Sequence, residues 1–142
     1  MKKCYIMRGL PYSGKSKRAR ELAGETGRVH STNDYFMVDG VYRYSPFQVR
    51  ELHQLNLEAF KKSLEEGIPV VVLDNCNVRI WEFQLGIEMA ESFGYEIEIV
   101  TMPHYPAIKA FREVNWRNIQ HESFMRMYEN FENFTFHAPV PS

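Results

Sequence analysis

One eight-residue segment near the start of the chain constrains the fold more than any other feature. Residues 9–16 read GLPYSGKS, which fits the pattern G-x-x-x-x-G-K-[ST]. The segment follows a short β-prone stretch, Lys3–Arg8, and precedes a helix-favouring one, residues 15–26. This spacing has structural meaning when it lies between a strand and a helix. The pattern therefore predicts a strand and a helix joined by a tightly curled loop.

This loop has the composition of a phosphate-binding site. Two glycines allow the backbone to bend without side-chain clashes, so that successive amides point into one hollow, although Pro11 has no amide proton to contribute. The helix that begins near Lys15 adds the positive end of its dipole. Lys15 is expected at the β- and γ-phosphates, and the Ser16 hydroxyl on Mg²⁺. We therefore expect nucleoside triphosphate binding, by Gly9, Pro11, Tyr12, Ser13, Gly14, Lys15, Ser16 and Lys17.

The rest of the chain alternates between strand-like and helix-like segments. Further strands are predicted at residues 28–31, 68–73 and 95–101, and residues 68–73 (IPVVVL) are apolar throughout, as in a strand buried on both faces. Helices are predicted at residues 45–66, 79–93, 106–118 and 123–134. Alternating strands and helices indicate a parallel sheet covered on both faces. At 142 residues, we expect one α/β domain of three layers, α/β/α, over residues 1–142.

Composition excludes several other classes of protein. Seventeen Lys and Arg against eighteen Asp and Glu give a net charge of −1, so no global field attracts nucleic acid, and any such contact is local. The longest apolar run, at residues 68–73, is far shorter than the ~20 residues that cross a bilayer. The strand assignments place Cys4 and Cys76 too far apart for a disulfide. We therefore expect a reduced, cytoplasmic protein.

A second candidate for the site lies at the end of the buried strand. Asp74 follows four apolar residues, and ligands of such sheets bind at the carboxyl ends of the strands. A carboxylate in this position is expected on the Mg²⁺ side of the phosphate loop, together with Ser16. Since Asn75 and Asn77 follow, a turn or helix-capping role for Asp74 is the alternative.

The order of these motifs resembles one family: the small P-loop kinases grouped with the 5′-hydroxyl polynucleotide kinases and the NEDD4-binding-protein-2-like proteins. The resemblance covers nearly the whole chain. It implies a P-loop NTPase fold with four or five parallel strands, a lid between the last two helices, and ATP as phosphoryl donor to a hydroxyl. The motifs that carry it are RGLPYSGKS (residues 8–16), STNDYF (31–36), DGVYRY (39–44), VVVLDNCN (70–77), RN (117–118) and TFHAPVPS (135–142).

The resemblance also implies roles for individual residues, and the chain departs from the family's pattern at three of them. The family has two adjacent acids after the second strand, of which the first acts as base; here Asn33 takes that position and Asp34 remains. Only residues 119–122 are expected to separate the last two helices, where a longer basic lid is usual. Phe36 occupies the place of an acceptor-binding arginine. Arg117 fits the lid arginine, with Arg112 and His121 as further candidates near the phosphates.

Two functions follow from these observations. The first is a phosphotransferase that moves the γ-phosphate of ATP to a hydroxyl acceptor, such as the 5′-OH of a nucleotide or short oligonucleotide, or a small molecule. Its predicted catalytic residues are Lys15, Asp34 and Arg117. The alternative is a nucleotide-binding module with little or no catalysis, because Asn33 cannot accept a proton.

Overall fold

The computed structural model describes residues 2–133, and the motif at residues 135–142 lies outside them. The central sheet is formed by Lys3–Arg8 (β1), Arg28–His30 (β2), Val70–Asp74 (β5) and Glu96–Thr101 (β6), and a hairpin is formed by Met37–Val38 (β3) and Val41–Tyr42 (β4). The helices are Lys15–Ala23 (α1), Val49–Glu65 (α2), Ile80–Ser92 (α3), His104–Glu113 (α4) and His121–Asn130 (α5), and Thr32–Phe36 is a 3₁₀ helix.

The central sheet has four strands in the order β2-β5-β1-β6, all parallel. Consecutive side chains of β1 point to opposite faces, because the side-chain period of a strand is two. Cys4 and Ile6 pack against α2 and α3, whereas Met7 packs against α1. The predicted three-layer α/β/α fold is confirmed, and it brings the carboxyl ends of all four strands to one edge.

The last two helices form a small apolar cluster beside this edge. Leu10 of the phosphate loop is fully buried in it, against Ala107 of α4 and Phe124 of α5. The rings of Phe111 and Phe124 stack with centroids 4.1 Å apart. The helical pair is therefore anchored directly to the phosphate loop.

A buried arginine joins the end of α5 to the sheet. Arg8 is 1% exposed, and its guanidinium donates hydrogen bonds to the carbonyl oxygens of Asn77 (2.8 Å), Val78 (2.9 Å) and Glu132 (2.7 Å). Its guanidinium carbon also lies 4.7 Å from the ring centroid of Phe83 and 4.5 Å from that of Phe131. Through these bonds Arg8 joins three segments: the end of β1, residues 77–78 after β5, and Glu132 after α5.

Several predicted boundaries were wrong by a few residues. The α2 helix begins at Val49 rather than near residue 45, and α5 begins at His121 rather than at residue 123. The helix predicted for residues 106–118 is the shorter α4, His104–Glu113. The β3–β4 hairpin was not among the predicted elements; in its turn Asp39 and Gly40 both have positive φ, as two-residue type I′ hairpin loops require.

The two cysteines do not form a disulfide. Cys4 is buried and Cys76 is half-buried, and both thiols are free. Burial raises the pKa of the Cys4 thiol to about 12. None of the helices in the described part of the chain is long and apolar enough to cross a membrane.

Candidate functional site

The phosphate loop lies where β1 leaves the sheet and is held from both sides. The Gly9 amide donates to the Cys76 carbonyl after β5 (3.1 Å), and the Met102 amide after β6 donates to the Arg8 carbonyl (2.7 Å). A Cβ on Gly9 would lie 2.5 Å from Ser13 Oγ, so a larger residue there would displace the Ser13 side chain. The loop then turns through two left-handed residues, Tyr12 (φ 71°) and Gly14 (φ 88°), before α1 begins.

Lys15 opens α1 and lies over the loop. Its side chain is largely enclosed, with 7% of the residue exposed, and its Nζ donates one long hydrogen bond of 3.3 Å to the Leu10 carbonyl. Within residues 2–133, no carboxylate lies within ion-pair distance of Nζ. An enclosed ammonium group with so few partners favours an anionic ligand.

Ser16 and Asp74 meet at the carboxyl end of β5. The Ser16 hydroxyl donates to Asp74 Oδ2 at 2.9 Å, and Asp74 is only 2% exposed. The other carboxylate oxygen, Oδ1, is buried and has no hydrogen-bond partner in the described part of the chain. Asn75 and Asn77 take the anchoring roles instead: Asn75 Oδ1 accepts from the Thr32 amide (3.0 Å), and Asn77 Nδ2 donates to the Met7 carbonyl (2.7 Å). Asp74 is thus free of a capping role.

These two oxygen ligands fit a magnesium ion that also contacts phosphate. Mg²⁺ commonly keeps several waters and binds through one or two protein side chains plus substrate phosphates. Among residues 2–133, no group of three or more His, Cys, Asp and Glu side chains forms a self-sufficient metal site. The unpartnered Oδ1 of Asp74 and the adjacent Ser16 hydroxyl therefore fit a metal held jointly with a nucleotide.

The 3₁₀ helix after β2 brings a second carboxylate toward Asp74. Partial burial and the Asp74 carboxylate raise the pKa of Asp34, while the Arg20 and Arg117 guanidinium groups oppose the shift. These four side chains therefore share one electrostatic environment. The neighbouring Asn33 side chain accepts a long hydrogen bond (3.4 Å) from the Tyr42 hydroxyl of the hairpin.

Arg117 is enclosed by aromatic rings. Its guanidinium carbon lies 5.0 Å from the ring centroid of Trp116, 5.3 Å from that of Tyr42 and 5.7 Å from that of Tyr12. Each contact is a cation–π interaction. The Arg117 Nε is buried and has no hydrogen-bond partner in the described residues. The group therefore keeps hydrogen-bonding capacity for an anion.

Arg117 belongs to residues 114–120, which join α4 to α5 and are called the lid loop below. The connection is seven residues long, not the four expected from the sequence. The helix ends early because Asn115 and Asn118 adopt positive φ, and Asn115 makes two hydrogen bonds to the backbone of Ile119. Hydrogen bonds from an asparagine side chain to nearby backbone groups compete with the hydrogen bonds that would continue the helix.

Four further residues singled out in the sequence are Pro11, Lys17, Arg112 and His121. Pro11 is buried within the loop and Lys17 is exposed on α1. Arg112 and His121 line a groove between α4 and α5, where the His121 ring lies 6.1 Å from that of Phe111. The expectation that they face the phosphates finds no support in these contacts.

Sequence reasoning missed the residues that surround Arg117. Tyr42 comes from the hairpin and Asn115 and Trp116 come from the lid loop, so no spacing in the chain relates them to the phosphate loop. A run of polar and aromatic residues beside the family's lid arginine was the only available signal.

The fold and the site define a P-loop nucleotide-binding domain of kinase-like architecture. The family model described as "AAA domain" matches residues 5–132, and the chain belongs to this family.

Similar proteins support the resemblance that the sequence motifs indicate. The chain is 31% identical over 134 residues to NEDD4-binding protein 2 of Homo sapiens, a match that covers 91% of this chain and 8% of that protein. It is 26% identical over 153 residues to YLP motif-containing protein 1 of Mus musculus, covering 89% of this chain and 11% of that protein. The chain thus spans about a tenth of the length of these relatives.

A solved structure shares the fold. A chain in "Structure of Pnkp1/Rnl/Hen1 complex" superimposes with a TM-score of 0.63 at 20% sequence identity, over 84% of this chain and 41% of that chain. At this identity the match concerns the fold alone.

Proposed function

We propose that this domain binds ATP with Mg²⁺ and transfers the γ-phosphoryl group to a hydroxyl acceptor. The observation that carries the proposal is the enclosed Lys15 ammonium, which has a single long hydrogen bond, beside the Ser16–Asp74 pair with its unpartnered carboxylate oxygen. A cation and a metal-binding carboxylate beside a glycine-bent loop are what a polyphosphate with its metal requires.

Each residue has a definite task in this reaction. Loop amides and Lys15 bind the β- and γ-phosphates, and the Arg117 guanidinium donates to the oxygens of the group being transferred. When bound, Mg²⁺ would be held by Ser16 and Asp74 and would neutralise charge on the phosphate oxygens. The acceptor oxygen forms its bond to the γ-phosphorus while the bond from that phosphorus to the β–γ bridging oxygen breaks, which releases ADP.

Asp34 is the group best suited to the acceptor hydroxyl. The raised pKa of its carboxyl makes the carboxylate a better proton acceptor than an ordinary aspartate. The hydroxyl proton passes to this carboxylate or to water as the new ester forms. Asn33 beside it provides an amide that orients the hydroxyl without taking its proton.

Aromatic side chains beside these groups favour an acceptor with a flat ring. Trp116 and Tyr44 are both 58% exposed, and ring contacts of 5.9, 6.1 and 5.2 Å connect Trp116, Tyr42, Phe36 and Tyr44 in turn. Bases of single-stranded nucleic acids stack on such rings. The net charge of −1 and the lack of further lid cations favour a nucleotide or short oligonucleotide over a long polynucleotide.

The binding step is tested by Lys15→Ala. Loss of the charge-assisted bonds to the phosphates should weaken ATP affinity about 100-fold, while circular dichroism and thermal unfolding stay close to wild type. Calorimetric titration with Mg-ATP measures the affinity, and Lys109→Ala, an exposed lysine of α4, is the matched control. Wild-type affinity in Lys15→Ala would mean that the loop does not bind phosphate in this way.

The transfer step is tested with γ-labelled ATP and a panel of 5′-OH oligonucleotides, nucleosides and small alcohols. Asn33→Asp should raise turnover of the preferred acceptor about 10-fold or more, because it adds a base beside Asp34. Gln84→Glu, on the exposed face of α3, makes the same chemical change away from the site. No change in turnover would argue against proton transfer at this position.

The second candidate is a nucleotide-binding module without transfer, which Asn33 favours because an amide replaces the family's first acid. It predicts that the domain associates with another protein in the presence of ATP and labels no acceptor. Calorimetric titration with Mg-ATP, run beside the acceptor panel, separates the two candidates: nucleotide binding without label transfer to any acceptor supports the module, and label transfer excludes it.

A further inference from the structure

The tyrosine of the phosphate loop occupies a conformation that its residue type disfavours. Tyr12 has a φ of 71°, in the left-handed region where a Cβ is crowded by the following backbone. Its amide is one of those predicted to face a phosphate, a task that glycine would perform without strain. Strain at such a position suggests that the side chain has its own task.

The side chain of Tyr12 reaches across to the lid loop and makes two hydrogen bonds there. Its hydroxyl donates to Asn115 Oδ1 at 2.7 Å and accepts from the Arg117 backbone amide at 2.9 Å. The same Asn115 oxygen accepts from the Ile119 amide (3.0 Å), so the hydroxyl joins a hydrogen-bond network that defines the shape of the loop.

The ring of Tyr12 also contacts the side chain of Arg117. The guanidinium carbon lies 5.7 Å from the ring centroid, and the neighbouring Trp116 ring packs edge-on against Tyr12 at 6.4 Å. Tyr12 therefore contacts both the backbone and the guanidinium of Arg117. Only two residues separate Tyr12 from Lys15, so the lid loop is attached to the phosphate loop close to the other cation of the site.

We propose that Tyr12 is a positioning residue that docks the lid loop onto the phosphate loop and holds Arg117 in place for the transferring phosphoryl group. This inference rests on the proposed function for the part that concerns Arg117. Without the hydroxyl, the lid loop keeps its internal Asn115–Ile119 bonds but loses both hydrogen bonds to the phosphate loop. Arg117 would then sample positions away from the site, and its transition-state interaction would weaken more than nucleotide binding.

Tyr12→Phe removes the hydroxyl and keeps the ring and backbone. The amide of Arg117 should then exchange with solvent about tenfold faster in the nucleotide-free protein, because it loses its acceptor. In the transfer assay, kcat should fall about tenfold or more while the KM for ATP changes less than about threefold. Exchange is measured by NMR and needs no catalytic activity.

Tyr95→Phe is the matched control, since it removes a tyrosine hydroxyl that donates at 2.7 Å to the Ile68 carbonyl, near the amino end of β6. It should lower stability as much as Tyr12→Phe does, without either effect at Arg117. Unchanged exchange at Arg117 in Tyr12→Phe overturns the docking role. Faster exchange with an unchanged kcat overturns the positioning role. If wild type transfers no phosphoryl group to any acceptor, the proposed function fails and the exchange measurement alone decides the docking.

Discussion

Several polar atoms at the site have fewer partners than their burial requires. Asp74 Oδ1, Ser13 Oγ and Arg117 Nε are buried and unpartnered within the described residues, and the Lys15 ammonium has one long hydrogen bond. A buried polar group without a partner costs about 1–3 kcal/mol. These costs fall on residues around one loop, where a polyphosphate and its metal would supply the missing partners.

Asp74→Asn tests whether the unpartnered carboxylate lowers stability while it contributes to Mg-ATP binding. Removing a buried charge with one unpartnered oxygen should leave the free energy of unfolding unchanged or raise it by about 1 kcal/mol, while affinity for Mg-ATP falls about 10-fold or more. Urea unfolding and calorimetric titration measure the two effects. Asp39→Asn, in the hairpin turn where asparagine tolerates the positive φ, is the control and should change neither quantity. Undiminished Mg-ATP affinity in Asp74→Asn would remove Asp74 from the metal site.

At the scale of elements, the position of α1 is fixed at both of its ends. The phosphate loop leads into it, and Gly27 after it lies against the backbone. A Cβ at Gly27 would meet the Ala23 carbonyl oxygen at 2.4 Å and the Val70 carbonyl oxygen at 2.8 Å. The close approach packs the end of α1 against β5.

Gly27→Ala should therefore destabilise the protein by about 3 kcal/mol, because the obstructing atoms are backbone and cannot rotate away. Gly67→Ala is the control: it also follows a helix, with a φ of 72° but open space around it. That change should cost only about 1 kcal/mol of left-handed strain. Urea unfolding measures both, and equal losses would contradict the close-packing argument.

At the scale of the whole molecule, burial of a histidine makes stability depend on pH. Burial, and to a lesser extent the Arg28 guanidinium, lower the pKa of His30 below its ordinary value of 6.5. The unfolded chain then binds the proton more readily than the folded one. The stability that this group contributes is therefore present above pH 6.5 and is lost as pH falls from 6.5 through the lowered pKa.

His30→Gln keeps a hydrogen-bonding side chain beside the Ser63 hydroxyl, which lies 2.8 Å from the His30 Nε2, and removes the titration. The slope of unfolding free energy against pH just below 6.5 should become flatter in this variant. Thermal or urea unfolding at half-unit pH steps measures it, with His121→Gln at the exposed start of α5 as control. An unchanged slope would assign the acid sensitivity to other groups.

The net charge of −1 is compatible with phosphate binding at this scale. The proposed anion site uses mainly backbone amides and the end of α1, which add no formal charge. Its cations, Lys15 and Arg117, come from separate parts of the chain. For the proposed reaction, the charge balance therefore limits the kind of acceptor rather than the binding of a nucleotide.

Local sequence patterns were sufficient to predict the fold class of this protein. The glycine spacing at residues 9–16, the apolar strand before Asp74 and the alternation of segments were sufficient for the fold class, because each depends on neighbouring residues and on the periods of strands and helices. The predicted ends of the helices were less accurate. The end of α4 depends on Asn115, which bonds to Ile119 rather than continuing the helix.

The tertiary structure alone decided what surrounds Arg117. Tyr12, Tyr42 and Trp116 come from the phosphate loop, the hairpin and the lid loop, and they meet because the chain returns twice to one edge of the sheet. Contacts between segments about 30 to 100 residues apart leave no periodic signal in a sequence. The sequence by itself thus determined the fold class and predicted where a phosphate chain would bind, whereas folding decided which side chains surround the arginine beside that site.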